Sequence, residues 1–200
     1  MSGHVRIIAG KWRGRRLPVL TGPGIRPTGD RIRETLFNWL QMDISGARCL
    51  DLFAGSGALG LEALSRGAAH CTFVDNDKRV AAQLKANATC LNIAVNQARV
   101  LSASFPKQLP SFEKPFDIIF LDPPFNKNLL VECYAYLHSK HLVAPNGVIY
   151  VECERRHGDP FTILPEGWFV HKQKSTGDVT YGLIKLSPEV AAACSAPASR

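Results

Sequence analysis

The sequence predicts an α/β protein built on an open, mainly parallel sheet. Two stretches carry that expectation. The apolar run Ile118–Leu121 after Asp117 reads as a buried parallel strand, and the stretch from Arg48 to Arg66 reads as strand, glycine turn and helix in succession. Asp122-Pro123-Pro124-Phe125 follows the first run. A carboxylate therefore stands at a strand's carboxyl end, where open α/β sheets hold their ligands.

The other elements follow in order. Val5-Arg6-Ile7-Ile8 is β-like and opens a short hairpin or ribbon. Pro27 marks a boundary before a helix whose apolar stripe is Ile32, Leu36, Trp39 and Leu40, leaving Arg31 and Arg33 free to face outward. In the helix after the glycine turn, Leu59, Ala63 and Leu64 share a face, Gly67 supplies a stop, and the strand Cys71–Val74 ends in Asp75. A helix over about 77–91, a strand near 98–101, the strand before Asp122, a helix over about 128–139 and a buried strand over 147–152 continue the alternation. Segments 169–174 and 180–186 form a hairpin about Gly177-Asp178, and the Ala-, Ser- and Pro-rich tail from Ser187 is expected to be disordered. The expected organisation is a basic arm and helix over 1–41, a main domain over 42–186 and the tail 187–200.

The first βαβ unit implies a nucleoside-like cofactor. Gly55 and Gly57 let backbone approach a ligand at a helix N-terminus, and Asp75 after the second strand is placed to accept from ribose hydroxyls. Gly55-Ser-Gly57-Ala-Leu-Gly60 also satisfies the dinucleotide fingerprint, which keeps an NAD-type dehydrogenase in view. Asp51 argues against it, because its charge repels a pyrophosphate and suits a cation. S-adenosylmethionine carries no phosphate and has both an ammonium and a sulfonium.

Asp122-Pro123-Pro124-Phe125 is a stiff loop with carbonyls free to accept, followed by a ring able to stack on a base at about 1–3 kcal/mol. Acceptors beside a stacking face suit an exocyclic amine of a nucleobase. The tetrapeptide does not distinguish guanine N2 from adenine N6. A surface turn with a capping Asp would give the same residues.

Charge points to a nucleic acid. The formal net charge is +7, and residues 1–40 hold eight Lys/Arg against two Asp/Glu, so nearly all the excess lies at the front. Arg6, Lys11, Arg13, Arg15 and Arg16 fall within eleven residues, interleaved with Trp12, Gly10 and Gly14. Arginine predominates, which favours bidentate or stacked contacts to phosphate over mere solubility. The rival reading of this arm is a solvated basic segment with no specific partner, or one touching acidic surface of its own domain; for the whole chain a non-catalytic RNA-binding module is a further rival.

With 200 residues and 46% hydrophobic content the chain can bury an independent core. The cysteines at 49, 71, 90, 133, 153 and 194 show neither Cys-x-x-Cys nor zinc-type His spacing, so reduced thiols, no metal and a cytoplasmic location are expected. No apolar run reaches membrane-spanning length. A cysteine-nucleophile pyrimidine methylase is not supported, since Cys90 falls in a connecting helix. His138, His141 and His157 read as surface or capping residues.

Asp51-Leu-Phe-Ala-Gly-Ser-Gly57, Asp75 and Asp122-Pro-Pro-Phe125, in this order, resemble the class I S-adenosylmethionine-dependent methyltransferases that act on amino groups. Arg6-Ile-Ile-Ala-Gly-Lys-Trp-Arg-Gly-Arg-Arg-Leu17, Arg26-Pro-Thr-Gly-Asp-Arg-Ile-Arg-Glu-Thr-Leu-Phe-Asn-Trp-Leu40 and the segment from Asp51 to Arg66 narrow the resemblance to the bacterial RsmD family, over roughly residues 4–186. The resemblance implies a Rossmann-like, doubly wound, seven-stranded and mostly parallel sheet with an antiparallel last strand. It also implies methylation of N2 of a guanine in 16S ribosomal RNA, on the small ribosomal subunit or an assembly intermediate, by a monomer that needs no membrane. The alternative is an adenine-N6 methyltransferase acting on DNA or RNA.

By the same resemblance, Asp122, Pro123 and Phe125 are catalytic. Asp51, Phe53, Gly55, Gly57, Asp75, Asn76, Ser104 and Asp122 bind the cofactor. Arg6, Lys11, Trp12, Arg13, Arg15, Arg16, Arg26, Thr28, Arg31 and Arg33 meet RNA. The sequence departs from the family where a second threonine often stands in place of Gly29, and where Ser104-Phe105 replaces Asn or Asp followed by Ala.

Overall fold

The computed structural model describes residues 3–20, 29–124 and 127–190. A two-stranded antiparallel hairpin pairs β1 (Gly3–Arg6) with β2 (Arg16–Val19). The remaining strands are β3 (Arg48–Asp51), β4 (His70–Asp75), β5 (Ala98–Ser102), β6 (Phe116–Leu121), β7 (Val143–Glu154), β8 (Trp168–Thr176) and β9 (Val179–Leu186). They form a seven-stranded sheet in the order β5-β4-β3-β6-β7-β9-β8. The order runs outward from β3 to β5 and then resumes at β6, which is the doubly wound pattern. β9 alone runs against its neighbours, antiparallel to both β7 and β8, as the antiparallel last strand requires. The helices are α1 (Asp30–Trp39), α2 (Ala58–Ser65), α3 (Lys78–Cys90) and α4 (Lys127–Ser139). Among the described residues no helix is long and apolar enough to cross a membrane.

The chain divides into two compact units, one ending at Leu109 and one beginning at Pro110. In the first, β3, β4 and β5 pair in parallel. Every residue of α2 is buried, including Glu62 and Ser65, because the N-terminal segment covers its outer side. Glu62 accepts the amides of Ile8 and Ala9 at 2.7 and 3.0 Å, and Ser65 Oγ accepts the amide of Trp12 at 3.0 Å. Gly10 lies at φ +81°, and a Cβ there would sit on the Ser65 carbonyl. The Asn87 amide donates to the Pro18 carbonyl and ties β2 to α3. The basic arm is therefore docked on its own unit along much of its length.

α1 departs from the expected stripe. Ile32, Arg33, Leu36, Phe37 and Leu40 are buried, while Trp39 is only half-buried. Arg33 joins the inner face because acceptors, among them the buried Glu62, await it there. Its Nη2 donates to Asp30 and to the Arg6 carbonyl, and its Nη1 lies 3.7 Å from Glu62.

In the second unit, β6 and β7 are parallel, and the stretches Ile118–Leu121 and Val148–Val151 are buried, as their continuous apolar sequences demand. The β8–β9 hairpin turns through Gly177-Asp178, with Thr176 facing Val179 and Gly177 at φ +56°. The expected disorder does not begin at Ser187. The Ser187 amide donates to the Gly167 carbonyl at 2.7 Å, and residues 188–190 form a helical turn. Residues 191–200 lie outside the described residues.

Candidate active site

Asp51 and Asp75 stand at the carboxyl ends of the paired strands β3 and β4. Between the strand and α2, the turn places Gly55 at φ +48° and Gly57, the α2 N-cap, at φ +75°. Asp75 holds this turn from beside it: Oδ2 accepts the Gly55 amide and Oδ1 the Asp77 amide, each at 2.9 Å. Asp77, not Asp75, caps α3, accepting the Arg79 amide. Asp75 is thereby oriented by two backbone donors and stays partly exposed.

Asp51 is buried and its Oδ2 accepts the Gly60 amide at 3.1 Å. Burial pushes its carboxyl up to about 7; the Gly60 hydrogen bond opposes this and the Asp75 charge adds to it. A cation placed here would restore the ionised form, so the donor set fits a positively charged ligand and disfavours an anionic one.

The three glycines of the fingerprint divide their work. A Cβ on Gly55 would meet nothing nearer than the Phe53 carbonyl at 3.9 Å, which leaves open space over the turn for a ligand. A Cβ on Gly57 would strike the Leu84 side chain at 2.4 Å, and one on Gly60 the Phe73 ring at 2.3 Å. Gly57 thus permits close packing of α2 against α3, and Gly60 close packing of α2 against β4. Phe53 meets Phe105 edge-on at 5.9 Å, linking the turn to the loop after β5. Ser104 in that loop is exposed, with its amide donating to Gln108 Oε1 at 3.0 Å, and Asn76 is exposed beside Asp75. A shallow recess at the turn is lined by Val19, Leu20, Gly55, Ser56, Val80 and Gln83.

In the second unit, Asp122 follows β6 and is partly exposed, Pro123 is buried and Pro124 exposed. Phe125 lies outside the described residues, as do Arg26 and Thr28.

The arm divides into outward and inward residues. Lys11, Arg13, Arg15, Arg16 and Arg31 are exposed. Arg15 donates to the Cys90 carbonyl at the end of α3, and Arg6, half-exposed, pairs with Asp30 at 3.0 Å. Two expectations are corrected here. Trp12 is buried, with Lys11 Nζ 5.2 Å from its ring centroid, so its indole packs within the protein and is not presented to RNA. Arg33 is 1% exposed and committed to Asp30, Glu62 and the Arg6 carbonyl, so it is not available to phosphate.

Sequence reasoning missed Glu62, the buried anion that receives the arm, and the pair Tyr150 and Glu152 at the end of β7. The signals were present. Glu62 interrupts an otherwise apolar helix, and Glu152 ends the run Val148–Val151 just as Asp122 ends Ile118–Leu121.

Comparison with known proteins shows the family and the fold. Residues 5–185 match the family model described as Conserved hypothetical protein 95. The chain is 52% identical to a Haemophilus influenzae protein named ribosomal RNA small subunit methyltransferase D, over 91% of this chain and 94% of that one. It is 48% identical to the Escherichia coli protein of the same name, over 91% and 90%. A solved structure described as a putative methyltransferase, yhhF, from Escherichia coli superposes with a TM-score of 0.84 at 44% identity, covering 93% of this chain and 99% of that one. The chain belongs to the RsmD family, the family of these ribosomal RNA small subunit methyltransferases D.

Proposed function

We propose that this protein methylates the exocyclic N2 of a guanine in 16S ribosomal RNA, using S-adenosylmethionine. The observation that carries the reading is Asp122 at the carboxyl end of β6, followed by two prolines that donate no N–H. Kinship with proteins named for methylation of small-subunit ribosomal RNA supports the substrate class.

S-adenosylmethionine, when bound, supplies an electrophilic methyl on its sulfonium. Asp51 holds the cationic end of the cofactor, Asp75 accepts from its ribose, and the open face of Gly55 admits it against backbone. On the substrate side, guanine N2 is a poor nucleophile because its lone pair is delocalised into the ring. Asp122 and the Pro123 carbonyl accept the two amino hydrogens and so turn that lone pair out of the ring plane. Phe125 stacks the extruded base. Positioning of this kind supplies on the order of 7–11 kcal/mol in well-oriented systems. The exposed cations Lys11, Arg13, Arg15 and Arg16 contact RNA phosphates, and the arm and helix over 1–41 serve the catalytic domain as its RNA-facing part.

The test is incubation with radiolabelled S-adenosylmethionine and, separately, naked 16S RNA, unmethylated small subunits and DNA, followed by digestion to nucleosides. Label in N2-methylguanosine is expected, and Asp122→Ala should abolish it even at saturating S-adenosylmethionine, whatever affinity for the cofactor is lost with the carboxylate. Label in N6-methyladenine would replace this reading with the adenine one, and label in no nucleoside would overturn both.

A further inference from the structure

Asp122 has a carboxylate neighbour. In the parallel ladder of β6 and β7, Phe120 faces Tyr150 and Leu121 faces Val151; the next residues along the two chains are Asp122 and Glu152. Side chains alternate across a strand, so Glu152 shares a face with Tyr150 and Asp122 continues the face of Phe120. The rings of Phe120 and Tyr150 meet on that face at 6.4 Å, edge-on. The Tyr150 hydroxyl donates to Glu152 Oε2 at 2.8 Å. Burial, then the charges of Glu152 and Asp122, hold the Tyr150 phenol far above its ordinary range, so it stays a donor, and both carboxylates lie close enough to act on it.

Guanine presents N1–H beside its N2 amino group, giving adjacent donors along one edge. Adenine presents an acceptor at N1 beside its N6 amino group. Resting on the guanine-N2 reading above, we infer that Glu152 is a specificity-determining residue, its carboxylate accepting N1–H of the target guanine while Asp122 and the Pro123 carbonyl hold the N2 amino group. The Tyr150 hydroxyl fixes the Glu152 carboxylate in place by occupying one of its oxygens. Adenine in the same pose would set its N1 lone pair against an anion. A site built to bond a donor rejects an analogue that lacks it far more strongly than an apolar pocket rejects a misfit.

The experiment compares kcat/KM on RNA carrying guanine or 2-aminopurine at the target position. 2-Aminopurine keeps the N2 amino group and lacks N1–H. The unaltered protein should favour guanine by roughly a hundredfold or more. In Glu152→Gln the Tyr150 hydroxyl holds the amide oxygen, so the side chain turns an N–H toward the base. The guanine preference should then fall at least about tenfold, with cofactor affinity unchanged. Because 2-aminopurine also lacks O6, the change in the ratio isolates the contact at N1. Equal use of the two bases by the unaltered protein overturns the assignment and needs no variant. An unchanged ratio in Glu152→Gln, however far both rates fall, also overturns it and leaves Glu152 a mere support for Tyr150. If guanine RNA acquires no N2-methyl group at all, the underlying reading fails and takes this assignment with it.

Discussion

The carboxylate of Asp51 accepts the amide of Gly60 at 3.1 Å inside the protein, so the end of β3 is tied to the first turn of α2 by an acid that solvent barely reaches. That single amide does not compensate the loss of water. Burial raises the carboxyl to about 7 from an ordinary 3.8, and the same group that fits a cation therefore weakens the free protein at neutral pH.

Asp51 links pH to both stability and binding. The folded state holds the Asp51 proton more tightly than the unfolded chain does. Its contribution to stability is thus fullest below 3.8, declines as pH rises toward about 7, and is flat above. Asp51→Asn should stabilise the free protein at pH 8, with an upper bound on the order of a few kcal/mol. The same substitution should weaken S-adenosylmethionine binding at least tenfold, by roughly 1.4 kcal/mol or more. In the unaltered protein, affinity should drop as pH falls below about 7, where the carboxyl takes up its proton. Calorimetric titration from acid to alkaline pH checks both; a flat profile that the substitution does not change removes Asp51 as a ligand.

Arg13 and Arg16 are exposed, whereas Arg33 and Trp12 are not. If the outward cations neutralise phosphates, Arg13→Gln with Arg16→Gln should lower the slope of log affinity against log salt by about 1 to 2, each contact contributing roughly 0.7 to 0.9. Filter binding over a salt series reads the slope. The same slope in the double variant would place the RNA surface elsewhere.

The sheet and the glycine turn were legible because their signals are local: continuous apolar runs for buried parallel strands, positive-φ glycines at a helix start, and acids at strand ends. The inward turn of Arg33 was not, because it depends on Asp30, Glu62 and the Arg6 carbonyl meeting in space. Trp12 misled for a related reason. Beside Lys11 and Arg13 it reads as part of an RNA-facing arm, yet its amide and its neighbours dock on Ser65 and carry the indole inward. Glu152 escaped notice because its meaning comes from register with β6, and register across strands cannot be counted along one strand.

Glu62 is fully buried and serves Ile8, Ala9, Arg66 and Arg33 together. Removing it strands a buried guanidinium and two amides, whereas its apolar helix would otherwise tolerate alanine well. Glu62→Ala should cost about 3–5 kcal/mol, a fall in Tm of about 10 °C for a chain of this size. Thermal unfolding measures it. A loss below about 1 kcal/mol would show that the arm holds to α2 by apolar packing instead.

Gly55 and Gly60 should fail in opposite ways. A methyl on Gly60 meets the Phe73 ring at 2.3 Å and Cys71 Sγ at 2.7 Å, both in the packed layer between α2 and β4. Gly60→Ala should therefore destabilise by about 1–3 kcal/mol, while whatever folds retains cofactor affinity. A methyl on Gly55 meets open space, at the cost of about 1–2 kcal/mol for a side chain at positive φ. It intrudes where the proposed cofactor approaches backbone. Gly55→Ala should leave most of the stability and lose cofactor affinity at least tenfold. Paired unfolding and binding measurements separate the two effects, and a Gly55→Ala protein that binds S-adenosylmethionine normally would mean that the cofactor does not lie over this turn.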